Sequence, residues 1–260
     1  VNPYSVLDYL EGDVHLVAIQ HANQEIGVIQ DIETIGTICK DSKVPFLVDV
    51  TASVGKIAVD VKKMNATMAA FSGSDLYGPK GTGALYIKMG TPFEKTHRGG
   101  GQERDLRPGT ENVPCIVGFG KAAELTMSRM EEDAEAMKMR RDSIISGIEN
   151  TIPRAYLNGS REKRLPNNAH FRFDFIEGES LILNLDMIGI HAATGSACSS
   201  KNLEASKVLL SLGLEHEQAH GSLQITLSKN TTDEDVKYLL DELPGVVKRL
   251  RQMSPLYVEE

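Results

Sequence analysis

Three cysteines are spread through the 260 residues, Cys39, Cys115 and Cys198, and Cys198 has the most chemical setting. Its surroundings, ATGSACSSKN, place small residues on both sides, which suits an accessible loop whose thiolate a substrate or partner can reach. The same pattern also admits a small buried hydrophobe, the ordinary fate of a single cysteine. Cys39 and Cys115 lie in apolar helical patterns and read as core. A second chemical stretch is 97–111, HRGGGQERDLRPGTE, with Arg98, Arg104, Arg107 and Thr110 among glycines. Guanidinium forks and loop N–H groups can cradle a phosphate, although a solvated interface loop has the same composition. Asp49 closes an apolar strand, either as a ligand group or as a cap on the next turn. Asn23 follows another strand within HANQEIG, where His21 reads as structural.

These groups need elements to position them. Residues 14–20, 45–50, 66–72 and 82–88 are short apolar runs that read as buried strands. Ile32, Ile35 and Ile38 recur at helical spacing behind Asp31, a candidate N-cap. Strand, helix, strand implies a βαβ unit and a largely parallel sheet. Residues 113–150 read as mostly helical. Farther on, 169–175 alternates like a strand with one wet face, and 178–186 and 203–212 read as helices. SLQITLS (222–228) is a strand, and a last helix starts near the capping-box spacing Thr231–Glu234, with Pro244 expected to kink or break it. The order predicts an α/β layer over residues 1–125 and a smaller α+β domain over 126–260.

Composition narrows the function. Net charge is −8 with acids and bases interspersed, which argues against a nucleic-acid surface. No apolar run approaches the roughly 20 residues of a membrane span. An odd number of widely separated cysteines suits free thiols in a reducing compartment, so the expected location is cytoplasmic.

Taken in order, HANQEIG, VDVTASVGK, FSGSDLYGPKGTGALY, RGGGQERDLRPGTENV, YLNG, IEGES, TGSACSS and MSPLY resemble the cysteine desulfurases of the NifS/IscS type, within the class V aminotransferases. The resemblance covers the C-terminal two-thirds of that family. It implies the type I fold of pyridoxal-phosphate-dependent transferases, a homodimer, and a small domain carrying the cysteine loop. It also implies that Cys198 takes sulfur from L-cysteine as a persulfide, leaving L-alanine. By the same match Asn23 would contact substrate and cofactor, Asp49 would pair with the pyridine nitrogen, Ser72, Gly73 and Ser74 would hold the phosphate, and Thr110 would reach the other subunit's phosphate.

The sequence departs from that pattern at three positions. Asp75 stands where the family has its Schiff-base lysine, Ala52 where a glutamine meets the cofactor's phenolic oxygen, and Gln224 where an arginine clamps the substrate carboxylate. A carboxylate cannot form an imine, and general acid–base help is worth roughly 10² to 10⁴ in rate. Lys80 lies beyond Asp75, past the turn, and is a poor substitute. Two readings follow. One is a desulfurase with non-covalent pyridoxal phosphate, delivering sulfur to an iron–sulfur scaffold protein. The other is a non-enzymatic assembly partner in which Cys198 carries a persulfide made elsewhere or ligates a nascent 2Fe-2S cluster on the scaffold.

Overall fold

The computed structural model describes residues 1–195, 205–255 and 257. The chain forms two compact units. The first comprises Val1–Ala22 and Gln30–Met130; the second comprises Asn23–Ile29 and Glu131–Glu260. The short Asn23–Ile29 segment, which lies early in the sequence, thus belongs with the C-terminal half.

In the first unit β1 (Val17–Gln20), β2 (Phe46–Asp49), β3 (Met68–Ser72) and β4 (Gly83–Ile87) form a sheet in sequence order. β1, β2 and β3 run parallel, joined through helix α1 (Ile32–Asp41) in the first crossover. α1 is capped by Asp31, whose carboxylate accepts the Thr34 N–H at 3.2 Å. Its buried face, Ile32, Ile35 and Cys39, packs with Phe46, Val48, Val50 and Met64. The approach is close at Gly36, where a Cβ would lie 1.8 Å from the Met64 carbonyl oxygen. β4 corrects the expected buried strand: it runs antiparallel to β3, and its first three residues are exposed. The turn 73–82 is too short for a crossover, so the chain reverses. Within 97–111 the short helix α2 (Gln102–Asp105) includes Glu103 and Arg104 in left-handed conformation.

The unit boundary falls within helix α3 (Val113–Thr151). In the second unit β5 (Ala155–Leu157), β6 (Asn168–Phe173) and β7 (Ser222–Thr226) form an antiparallel sheet with β6 central. Around it lie α4 (Gly178–Asp186), α5 (Lys207–Ser211), α6 (His216–His220) and α7 (Asp233–Met253). The core gathers Ile144, Ile145 and Ile148 of α3, Phe171 and Phe173 of β6, Leu181 and Leu185 of α4, and Leu239 and Leu243 of α7. Three expectations change here. β6 has no wet face: five of its six residues are buried, because strands flank both edges and its outward side meets a polar cluster. The last helix is capped one residue later, by Thr232 with Asp235, and runs unbroken through Pro244. A packed apolar stripe outweighs one lost backbone hydrogen bond. Cys115 is half-buried, unlike fully buried Cys39.

Among the described residues no helix is long and apolar enough to cross a membrane. Gly→Ala in a helix interior ordinarily stabilises by about 1 kcal/mol. Gly36→Ala should instead destabilise by about 1–3 kcal/mol, since a methyl group meets a backbone oxygen that cannot withdraw. The midpoint of denaturant unfolding checks the sign.

Candidate functional site

Strand order sets the first part of the site. In a parallel sheet, ligands gather at the carboxyl ends of the strands, and here β2 ends on Asp49 and β3 on Ser72. Asp49 Oδ1 accepts the Thr51 N–H at 2.9 Å, so the carboxylate is oriented by its own turn. Ser72 Oγ and Ser74 Oγ are 2.9 Å apart across the bend. Gly73 between them is buried, and a Cβ there would lie 2.3 Å from Thr82 Oγ1. Asp75 follows in the turn, half-buried.

His21 is tied to this edge. Its backbone N–H donates to the Asp49 carbonyl at 2.7 Å. Ser53 donates its hydroxyl proton to the Val50 carbonyl at 3.1 Å, so His21 Nδ1, 2.9 Å from Ser53 Oγ, is the donor in that contact. Burial lowers the pKa of this imidazole. The structural role expected for His21 agrees with these contacts.

Lys56 was not among the residues marked in the sequence. It belongs to the VDVTASVGK stretch that opens with the Asp49 strand. Burial lowers the pKa of its amine, and the nearby Asp75 carboxylate acts against that lowering. Asp75 therefore supplies negative charge close to a half-buried amine.

The remaining expected residues lie elsewhere. Thr110 is exposed at the end of the 97–111 loop. Asn23 is buried in the second unit, where its Oδ1 accepts the N–H groups of Glu25 at 3.0 Å and Ile26 at 2.9 Å. Its oxygen thus shapes the HANQEIG turn, and a ligand would have to be met by Nδ2. Gln224 of β7 donates Nε2 to the Gln24 carbonyl at 2.9 Å, a bond internal to the same unit. Ala52 is a buried methyl group. Cys198 lies outside the described residues. Burial raises the pKa of the Cys39 thiol, which suits its core position. No group of three or more potential metal ligands occurs among the described residues.

A polar cluster in the second unit also escaped the sequence reading. Arg164 is buried and donates to the carbonyls of Ile26 at 2.8 Å and Ser160 at 2.9 Å, to the Asn158 carbonyl, and to Asn168 Oδ1 at 3.2 Å. His170 is fully buried beside it. Asn158 Oδ1 accepts from Arg172 at 3.0 Å, so its Nδ2 donates to His170 Nδ1 at 2.9 Å. The His170 proton is then on Nε2, which has no hydrogen-bond partner among the described residues and faces Glu25 Oε1 at 3.8 Å. Most members lie within 158–172, but their attachment to Glu25 and Ile26, far away in sequence, leaves no local signal.

The sequence matches the family model described as Aminotransferase class-V over residues 1–239. The chain belongs to this family. It is 55% identical over 245 residues to a cysteine desulfurase IscS of Archaeoglobus fulgidus, covering 94% of this chain and 64% of that protein. It is 45% identical over its whole length to a cysteine desulfurase IscS of Methanosarcina thermophila, again covering 64% of the relative. The chain thus spans just under two-thirds of the length of these relatives. Among solved structures, a NifS-like protein superposes with a TM-score of 0.88 at 33% identity, over 96% of this chain and 66% of that one. The fold is therefore the type I fold of pyridoxal-phosphate-dependent transferases.

Burial and the neighbouring Arg164 lower the His170 pKa from 6.5 to about 3. The imidazole is neutral when folded but takes up a proton on unfolding below about pH 6.5, so stability should fall as pH drops through this window toward 3. One proton contributes up to about 1.4 kcal/mol per pH unit. Denaturant midpoints measured from pH 7 to 4 should fall less steeply in His170→Gln than in the parent; equal slopes would contradict the assignment.

Proposed function

We propose that this chain is a cysteine desulfurase-like component of iron–sulfur cluster assembly, acting on L-cysteine through Cys198. The observation that carries the reading is the edge formed by Asp49 and Ser72 at the ends of neighbouring parallel strands, with Ser74 in the turn that follows. Those groups fit pyridoxal phosphate. The Asp49 carboxylate would hold a proton on the ring nitrogen, and the Ser72–Ser74 hydroxyls with the close-packed Gly73 turn would hold the phosphate. Thr110 would serve the phosphate of a second subunit in a homodimer, and Asn23 would meet substrate and cofactor through Nδ2. When bound, the cofactor supplies an electron sink for bonds at the substrate's α-carbon. The Cys198 thiolate takes the sulfur: its S–S bond forms as the substrate's C–S bond breaks, and the products are a Cys198 persulfide and L-alanine. Residues 1–125 would form the cofactor-binding part and 126–260 the part that presents the cysteine, in the cytoplasm.

Three positions favour a second reading, in which the chain makes no sulfur and Cys198 carries a persulfide made elsewhere or ligates a cluster on a scaffold protein. Asp75 cannot link to an aldehyde, the Ala52 methyl has no hydrogen-bonding group, and the neutral Gln224 amide is engaged with Gln24. Ligating iron needs only a deprotonated thiol within reach, whereas turnover needs the whole site organised.

Incubation with L-cysteine and pyridoxal phosphate should yield L-alanine and a persulfide on Cys198, both absent in Cys198→Ser. Asp75→Lys should raise the yield in part only, because Ala52 and Gln224 remain. If the parent yields neither product but Cys198→Ser alters the spectrum of a cluster assembled with sulfide on a scaffold protein, the second reading replaces the first.

A further inference from the structure

Two opposite charges lie beside the turn that follows β3. Lys56 and Asp75 are both half-buried. Among the described residues neither side chain has a hydrogen-bond or ion-pair partner, yet the Asp75 carboxylate acts on the Lys56 amine and opposes its depression by burial. Backbone packing fixes this proximity. Gly55, in left-handed conformation at φ +74°, lies against the neighbouring turn, where a Cβ would meet Leu76 Cδ2 at 2.5 Å and Thr126 Cγ2 at 2.6 Å. On one side Lys56 N–H donates to the Ser53 carbonyl at 3.1 Å, and Ser53 Oγ is held by His21 Nδ1 at 2.9 Å. On the other, Leu76 N–H and Gly78 N–H both donate to the Gly73 carbonyl, at 3.2 and 2.9 Å. Lys56 and Asp75 are therefore the sequence neighbours of two residues in contact, Gly55 and Leu76.

Asp75 directly follows Ser74, whose hydroxyl pairs with that of Ser72. A phosphate held by those two hydroxyls would meet a charge of its own sign one residue away, and partial burial of the turn strengthens that repulsion. Lys56 brings the opposite charge from the adjoining turn. Half-burying an amine without a direct partner is costly, so its placement beside Asp75 calls for a role. We infer that Lys56 is a positioning residue that offsets the Asp75 charge and so lets the Ser72–Ser74 turn hold a phosphate group. The inference rests on the reading of that turn as a phosphate site.

The experiment compares equilibrium binding of pyridoxine phosphate and pyridoxine to the full chain by titration calorimetry. Neither compound has an aldehyde, so no lysine adduct forms, and the readout is the preference for the phosphorylated one. Lys56→Gln should cut that preference about tenfold and leave pyridoxine binding within about twofold, while Lys56→Arg keeps it. Adding Asp75→Asn to Lys56→Gln should bring the preference back to within about threefold of the parent, a recovery that a merely structural role of Lys56 would not give. Asp75→Asn alone should raise the preference, and this variant carries the test if Lys56→Gln does not fold. A parent with no preference loses the phosphate reading of the turn and the inference with it. A parent with the preference loses the inference alone if Lys56→Gln leaves it unaltered, if the double variant does not recover it, or if Asp75→Asn fails to raise it.

Discussion

The second unit depends on how Arg164 and Asn168 hold a segment that is distant in sequence. Arg164 is a buried cation met, among the described residues, by backbone carbonyls and the Asn168 side-chain oxygen and by no carboxylate, and burial, with Arg141 and Arg161 nearby, lowers its pKa to about 10. Asn168 donates to the carbonyls of Gln24 and Glu25 and packs its side chain where a Cβ on Gly27 would clash at 2.6 Å. Backbone bonds from Leu165 to Gly27 and from Ile29 to Lys163 complete the attachment. Buried polar groups of this kind are tolerated when nearly all are satisfied. The result is that Asn23 and Glu25 are held in the same unit as Gly195 and Ser206.

The first unit is organised by a different constraint, the common direction of β1, β2 and β3. Parallel strands bring their carboxyl ends to one edge, so β2 ends there on Asp49, opposite Ala70, and β3 ends two residues farther on at Ser72. Electrostatics at that edge differ from those expected for the family. Where an amine is expected there is the Asp75 carboxylate, and the nearby amine is that of Lys56, half-buried and depressed by burial. On the proposed reading Asp49, Ser72 and Ser74 would serve a ring nitrogen and a phosphate, and Asp75 would leave the cofactor without a covalent link.

The parts of this architecture that were legible in the sequence are those that depend on local pattern. The apolar runs became β1 to β4, Asp31 caps α1, and α4 spans the expected 178–186. Asp49 and Ser72 could be marked because strand ends are visible in sequence. Local pattern failed where tertiary context decides. The alternation in 169–175 promised a wet face, yet β5 and β7 cover both edges and His170 is buried against Asn158 and Arg164. Pro244 stays inside a continuous α7 because Leu239, Leu243, Val246 and Val247 are buried there. Glu25 meets Gly195 and Ser206 across 170 and 181 positions, and neither propensity nor periodicity reports a contact at that range.

The central claim is that Asp75 leaves this site able to hold pyridoxal phosphate without a covalent link. Borohydride reduction of the protein with the cofactor, followed by peptide mapping, tests it most directly when paired with an absorbance spectrum of the unreduced complex. The account predicts a bound chromophore that is lost on dialysis and no stoichiometric pyridoxyl-lysine after reduction. A stoichiometric pyridoxyl adduct on Lys56 or Lys80 would contradict it.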